Sequence, residues 1–210
     1  MTATPKSGPN AGNQTRIQKK NRSLILEAAL DVFSKFGFRG ATLDQIADQA
    51  GLSKPNLLYY FPSKEAIHME LLQGLLGTWL DPLQDMSADG EPRDEILGYM
   101  RRKLAMSRDY PRESRLFANE ILQGAPRIHS ALEGELRDLV EEKGAVIRTW
   151  IADGKMHDVN PTHLLFSIWA LTQHYADFEV QVGAILDGAD PYPQAETFLD
   201  QLFGGFFPAK

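Results

Sequence analysis

The sequence predicts an all-α fold of about nine helices. Three observations lead there. Apolar residues recur at three- and four-residue spacings from about residue 17 onward. Cap residues, glycines and prolines cut that pattern into helix-sized pieces. No run alternates apolar and polar residues as a half-buried strand would.

The elements follow in order. Residues 1–14 are rich in Pro, Gly, Ser, Thr and Asn without periodicity, and are expected to be disordered. The first helix carries Ile17, Leu24, Ala28 and Val32 on one stripe, with Ile25, Ala29, Phe33 and Phe36 beside it, and stops at Gly37. Thr42 caps a short second helix, with Gln45 where a capping box needs Glu or Gln, and Gly51 ends it. Ser53 caps a third, with Pro55 in its first turn, where a missing N–H costs nothing. Ser63 opens a long fourth helix to about Asp85, and residues 86–93 form a linker. Helices over 94–108 and 113–123 flank Tyr110-Pro111, and Gly124-Ala125-Pro126 breaks the second. Ile128, Leu132, Leu136, Val140, Ile147 and Ile151 mark one long amphipathic helix to about Gly154. Pro161 opens another through about Val182, and Pro193 lies near the start of a last one ending at Gly204.

The bulk numbers exclude several function classes. With no cysteine among 210 residues, disulfides, thiolate nucleophiles and Cys-ligated metal sites are out. No apolar run approaches membrane-spanning length and the N-terminus lacks the apolar core of a secretory signal, so a cytoplasmic location is expected. Net charge is −6, unevenly spread: residues 1–68 carry nine Lys/Arg against five Asp/Glu, and the remainder 13 against 23. A basic N-terminal part on an acidic body suits a chain whose first part alone meets a polyanion.

The second and third helices give that part a form. In LDQIADQAGLSKPNLLYYF, residues 43–61, two short helices meet at a tight turn. Gly51 supplies the positive φ of the turn, and Ala47, four residues earlier, lets the second helix cross close to the first. Leu52 and Leu57 fill the wedge. This is a helix-turn-helix, and the second helix is suited to a major groove of double-stranded DNA. Ser53, Lys54, Pro55, Asn56, Tyr59 and Tyr60 stand on its exposed face, with Asn56 placed to read a base edge. Lys54, Tyr59, Tyr60, Lys64 and the helix N-termini at Thr42 and Ser53 are the phosphate candidates. Arg16, Lys19, Lys20 and Arg22 are expected to add contacts as a basic arm. The competing reading is a pair of short helices that merely pack.

The stretch ILEAALDVFSKFGFRGATLDQIADQAGLSKPNLLYYFPSKEAI, residues 25–67, resembles the DNA-binding region of the TetR family of transcriptional regulators. The resemblance rests on the FxxxGFxGAT link, the Gly51 turn and the FPSKE entry to the fourth helix. Leu58 departs from it, standing where the family often has a phosphate-touching Tyr. The resemblance implies an N-terminal three-helix DNA-binding domain over 15–62 and a helical ligand-binding and dimerisation domain over 63–210. It also implies a homodimeric repressor, released from its operator by a small-molecule effector, with no cofactor. KLAMSRDYP (103–111), SRLFANEILQGAP (114–126) and IWALTQHYADF (168–178) resemble a pyrimidine-responsive branch of the family, for which the effector is uracil or thymine and the regulated genes serve pyrimidine and nitrogen catabolism. A different small planar or hydrophobic ligand is the alternative.

WALTQHYADF, residues 169–178, tests whether the body is instead an enzyme. On a helix Ser167 and His174 lie roughly 10 Å apart along the axis, whereas a nucleophile and its base need roughly 3 Å. His163 and His174 are eleven residues apart, and no HExxH occurs, so neither catalysis nor a metal site is expected. The wheel places Leu165, Phe166, Gln173 and Ala176 around Trp169, and Leu164, Ile168, Leu171, Tyr175, Phe178 and Val182 on a second face. Two apolar faces require two partners, here the body's interior and a second subunit. Phe198, Leu199, Leu202 and Phe206 of the last helix are expected to complete that interface. The ligand wall is then Trp169 and Trp79, stacking on a flat ring, with Gln173 matching adjacent C=O and N–H groups. Arg115 or Glu120 would meet the other polar edge, unless they form an internal or surface ion pair.

Overall fold

In the computed structural model, residues 16–208 are described; the tail at 1–14 lies outside the described residues. Among these residues the fold is all-helical. Three helices form the head: α1 (Arg16–Gly40), α2 (Leu43–Gln49) and α3 (Lys54–Tyr60). The long α4 (Lys64–Gln84) leads into the body. There follow α5 (Pro92–Asp109), α6 (Pro111–Leu122), α7 (His129–Ala131), α8 (Arg137–Ala152), α9 (Pro161–Asp177), α10 (Glu179–Ile185) and α11 (Tyr192–Gly204).

Local chemistry starts these helices where the sequence says. Thr42 Oγ1 accepts from the Gln45 backbone N–H at 3.2 Å while Gln45 Oε1 accepts from the Thr42 N–H at 2.8 Å, a complete capping box. Ser53, Ser63 and Asn160 cap α3, α4 and α9 by accepting from backbone N–H groups three residues on. Gly51 takes φ 67°, which the turn between α2 and α3 demands.

At Gly37 the backbone leaves helical geometry, φ 66°, ψ 174°, where the sequence stops the first helix, and one further short turn reaches Gly40. Two boundaries differ from expectation. A π-turn over Leu132–Leu136 interrupts the single helix expected from 128 to 154. The helix expected to reach Val182 breaks at Phe178. At that break, the Arg115 guanidinium donates to the Ala176 carbonyl at 3.3 Å and Ser114 holds Asp177 at 2.6 Å, which favours ending the helix there.

Packing produces two clusters. In the head, Ile25, Ala29 and Phe33 of α1 meet Ile46, Leu57, Phe61, Ile67 and Leu72. Fully burying such side chains stabilises by about 1.5–3 kcal/mol each. Leu116 of α6 and Ile128 join this cluster, so the body reaches into the head. The second cluster runs from Leu76 through α5, α8, α9 and α11. The clusters divide within α4, between Leu72 and Leu76, whereas the sequence places the domain boundary at residue 62. No described helix is long and apolar enough to cross a membrane.

Candidate DNA-binding face and ligand site

The head presents α3 outward. Ser53, Lys54, Pro55, Asn56 and Tyr59 are exposed, and only Leu57 of this helix turns fully inward. Lys54 Nζ pairs with Asp44 at 2.9 Å across an exposed gap, an ion pair weak enough to yield to a phosphate. Tyr60 is half-buried, its hydroxyl accepting from Asn21 at 2.8 Å, so it braces α3 against α1 more than it faces outward.

Lys64 is a correction. Its ammonium donates to the carbonyls of Phe38 and Ala41, both at 2.7 Å, and lies over the Phe38 ring. It fastens the α1–α2 link instead of pointing at phosphate. The basic arm is corrected too. Arg16, Lys19 and Lys20 are exposed on the first turns of α1, which is helical there. Arg22 is committed: it pairs with Glu70 of α4, donates to the Tyr60 carbonyl at 3.1 Å and covers the Phe61 ring.

In the body, Trp169 of α9 and Trp79 of α4 both face α5. Trp169 Nε1 donates to the Tyr99 hydroxyl at 2.6 Å, and burial pushes that phenol well above its ordinary pKa, so it stays protonated. Lys103, one turn along α5, sits 5.2 Å from the centre of the Trp79 ring. Burial alone lowers the Lys103 pKa to about 8. Trp79 Nε1 is buried and has no hydrogen-bond partner among the described residues. Gln173 is half-buried, one turn beyond Trp169. Thr172 is fully buried, and its carbonyl accepts from Ser107 at 2.8 Å.

Arg115 and Glu120 stand elsewhere. Arg115 is held at the end of α9 by Glu179 at 2.8 Å and by the Ala176 carbonyl. Glu120 is buried and accepts from the Arg127 backbone N–H at 2.8 Å and the Arg127 guanidinium at 2.9 Å. Arg115 forms a surface ion pair and Glu120 an internal one, so neither supplies a ligand's polar edge. Two surface clefts lie apart from the tryptophans. One, of about 370 Å³, runs past Thr42, Lys54 and Lys64; the other, of about 320 Å³, lies between α10 and the segment before α11, at Tyr175, Glu179 and Tyr192.

Comparison with known proteins decides what this architecture is. Residues 25–71 match the tetR family of bacterial regulatory proteins, and residues 72–203 match the C-terminal region of YcdC-like proteins. The HTH-type transcriptional regulator RutR of Escherichia coli K12 is 51% identical over 174 residues, covering 83% of this chain and 82% of that protein. The chain belongs to the TetR family. It is a ligand-responsive, DNA-binding transcriptional regulator and not an enzyme. The transcriptional repressor NicS of Pseudomonas putida is 28% identical over 204 residues, covering 91% and 94% of the two chains. Among solved structures, the ketosteroid regulator KstR2 of Mycobacterium tuberculosis superposes with a TM-score of 0.72 at 21% identity, over 90% and 95% of the chains. AibR, solved with isovaleryl coenzyme A and operator DNA, gives 0.66 at 17%, over 90% and 100%. At these identities the structures speak for the fold alone.

Within the TetR frame, the sequence reading missed Lys103, Ser107 and Thr172. A signal existed: Tyr99, Lys103 and Ser107 are polar residues at four-residue spacing on one amphipathic helix, a pattern that puts all three on one face. His174 and Asp177 also find their places. His174 is exposed and stacks on Phe178 at 4.9 Å, and Asp177 is the acceptor for Ser114. On the head, Asn56 is exposed on the outer face of α3. Asn56→Ala is expected to weaken specific operator binding by about 1–3 kcal/mol and to relax specificity at one base pair. Unchanged affinity across a set of operator variants would contradict the base-reading role.

Proposed function

We propose that this chain is a cytoplasmic, homodimeric repressor that leaves its operator when uracil or thymine binds between α4, α5 and α9. The observation that carries the reading is the pairing of flat walls with available polar groups. Trp79 and Trp169 flank α5, and the buried Trp79 Nε1 lacks a partner among the described residues. A pyrimidinedione offers a planar ring for Trp169 to stack on, and alternating C=O and N–H groups for Gln173 and the in-plane N–H of Trp79. The resemblance of segments 103–111, 114–126 and 168–178 to a pyrimidine-responsive regulator points to the same ligand. Genes of pyrimidine and nitrogen catabolism are the corresponding targets.

Exposed apolar side chains support the dimer. Phe166 and Leu171 of α9, Phe178, and Phe198 and Leu202 of α11 stand in solvent in the single chain. Leu199 does not belong with them: it is buried in the body core, because consecutive residues on α11 point to different sides. Two heads held by such a seam would address major grooves one helical turn apart. Ligand can release DNA only by binding the non-binding arrangement more tightly.

The test is a gel shift on the native operator with and without uracil or thymine. Release by either pyrimidine is expected, and indifference to both would overturn the reading. Gln173→Ala is expected to bind operator as the wild type does and to lose its response to uracil. Normal release of that variant would remove Gln173 from the site.

A further inference from the structure

Tyr99, Lys103 and Ser107 form one buried stripe on α5. Ser107 is occupied, donating to the Thr172 carbonyl. Trp79, Tyr99 and Lys103 each offer a donor to the site. Trp79 Nε1 has no partner among the described residues. Tyr99 accepts from Trp169, which leaves its own proton to give. Lys103 is 3% exposed, its ammonium lying over the Trp79 ring, and among the described residues it forms no ion pair. A buried cation without an anion is costly in a folded protein. It is tolerated where something else brings the missing negative charge.

We infer that Lys103 sets the ligand class of this site: its ammonium, with Trp79 Nε1 nearby, receives an electron-rich ring-carbonyl edge. The site therefore takes oxo-pyrimidines and favours an anionic ring over a neutral one. The inference rests on the pyrimidine reading of this same site and goes beyond it, because it names the group that discriminates and the charge it selects.

Isothermal titration of the full-length protein with uracil, cytosine and barbiturate tests it. Cytosine replaces one carbonyl with an amino donor. Barbiturate keeps the ring, carries three carbonyl oxygens and is an anion at neutral pH. Barbiturate is expected to bind most tightly, and cytosine at least about tenfold more weakly than uracil. Lys103→Met replaces a buried charge with an apolar chain of similar length, so it is expected to fold with an equal or higher Tm. It is expected to weaken uracil binding about 10- to 100-fold, the range for a hydrogen bond to a charged group, and to erase the preference for barbiturate. Trp79→Phe, which keeps a ring and removes the N–H, is expected to weaken uracil about 2- to 10-fold. Uracil binding equally well to wild type and Lys103→Met would overturn the inference and leave the pyrimidine reading standing. Uracil or cytosine matching barbiturate would also overturn it. A protein that binds operator but none of the three rings would overturn both.

Discussion

Replacing Glu120 with alanine is expected to destabilise the fold by about 3–5 kcal/mol, the range for removing one partner of a buried ion pair. Glu120 sits on α6, at the junction of body and head. Its carboxylate accepts from both the backbone and the guanidinium of Arg127, and His68 Nδ1 lies 4.0 Å away. The Arg127 guanidinium is 3.5 Å from the centre of the Phe38 ring, in the head. Without Glu120 that cation stays mostly buried, and a backbone N–H loses its acceptor. Glu120→Gln, which retains an acceptor, is expected to cost clearly less. Urea unfolding, read as a shift in midpoint at constant slope, checks both. A loss below about 1 kcal/mol for the alanine variant would show that the junction is not held this way.

The second large effect is a loss of stability in acid. His68 of α4 is buried edge-on against Phe33 and Phe38, at 4.7 and 4.9 Å. Burial, then the positive charges of Arg127 and Lys64, lower its pKa from 6.5 to about 4; Glu65 opposes this. Glu120, already bound to Arg127, faces it as well. The unfolded chain therefore binds more protons than the folded one between those two values, and stability rises with pH across that window. It is fully present above about 6.5 and is lost as pH falls toward 4. The linkage of roughly 2.5 pH units corresponds to about 3 kcal/mol. His68→Phe is expected to flatten the curve over this interval. A wild-type profile already flat from pH 6.5 to 4, measured by chemical unfolding, would contradict the neutral buried imidazole.

Both effects sit at a junction that the sequence does not announce. Glu120 and His68 are 52 positions apart, and nothing in their local spacing says that they meet. The sequence does announce what is local. Thr42, Ser53 and Ser63 stand before apolar runs, and each caps a helix because the capping hydrogen bond spans only three residues. Gly51 marks its turn because no longer-range contact is needed to require positive φ. Trp79, Trp169 and Gln173 could be nominated from the helical wheel and from resemblance together. Residue type alone points to Arg115 and Lys64, and their partners, the end of α9 and the carbonyls of Phe38 and Ala41, exist only in the folded chain.

The sequence by itself determined the all-α class, the helix-turn-helix, its outward-facing α3 and the family. The first three depend on periodicity, caps and turn chemistry, all read within about ten residues, and the family on the resemblance carried by residues 25–67. The tertiary structure decided which polar side chains are free to meet a ligand or DNA. It turned Arg22, Lys64, Arg115 and Glu120 into fastenings and, among the described residues, left buried Lys103 without an ion pair and Trp79 Nε1 without an acceptor. The physical reason is that a charged side chain's role is set by the partner it finds across the fold, and the energy of that pairing depends on burial. Neither is encoded in the residue or its neighbours along the chain.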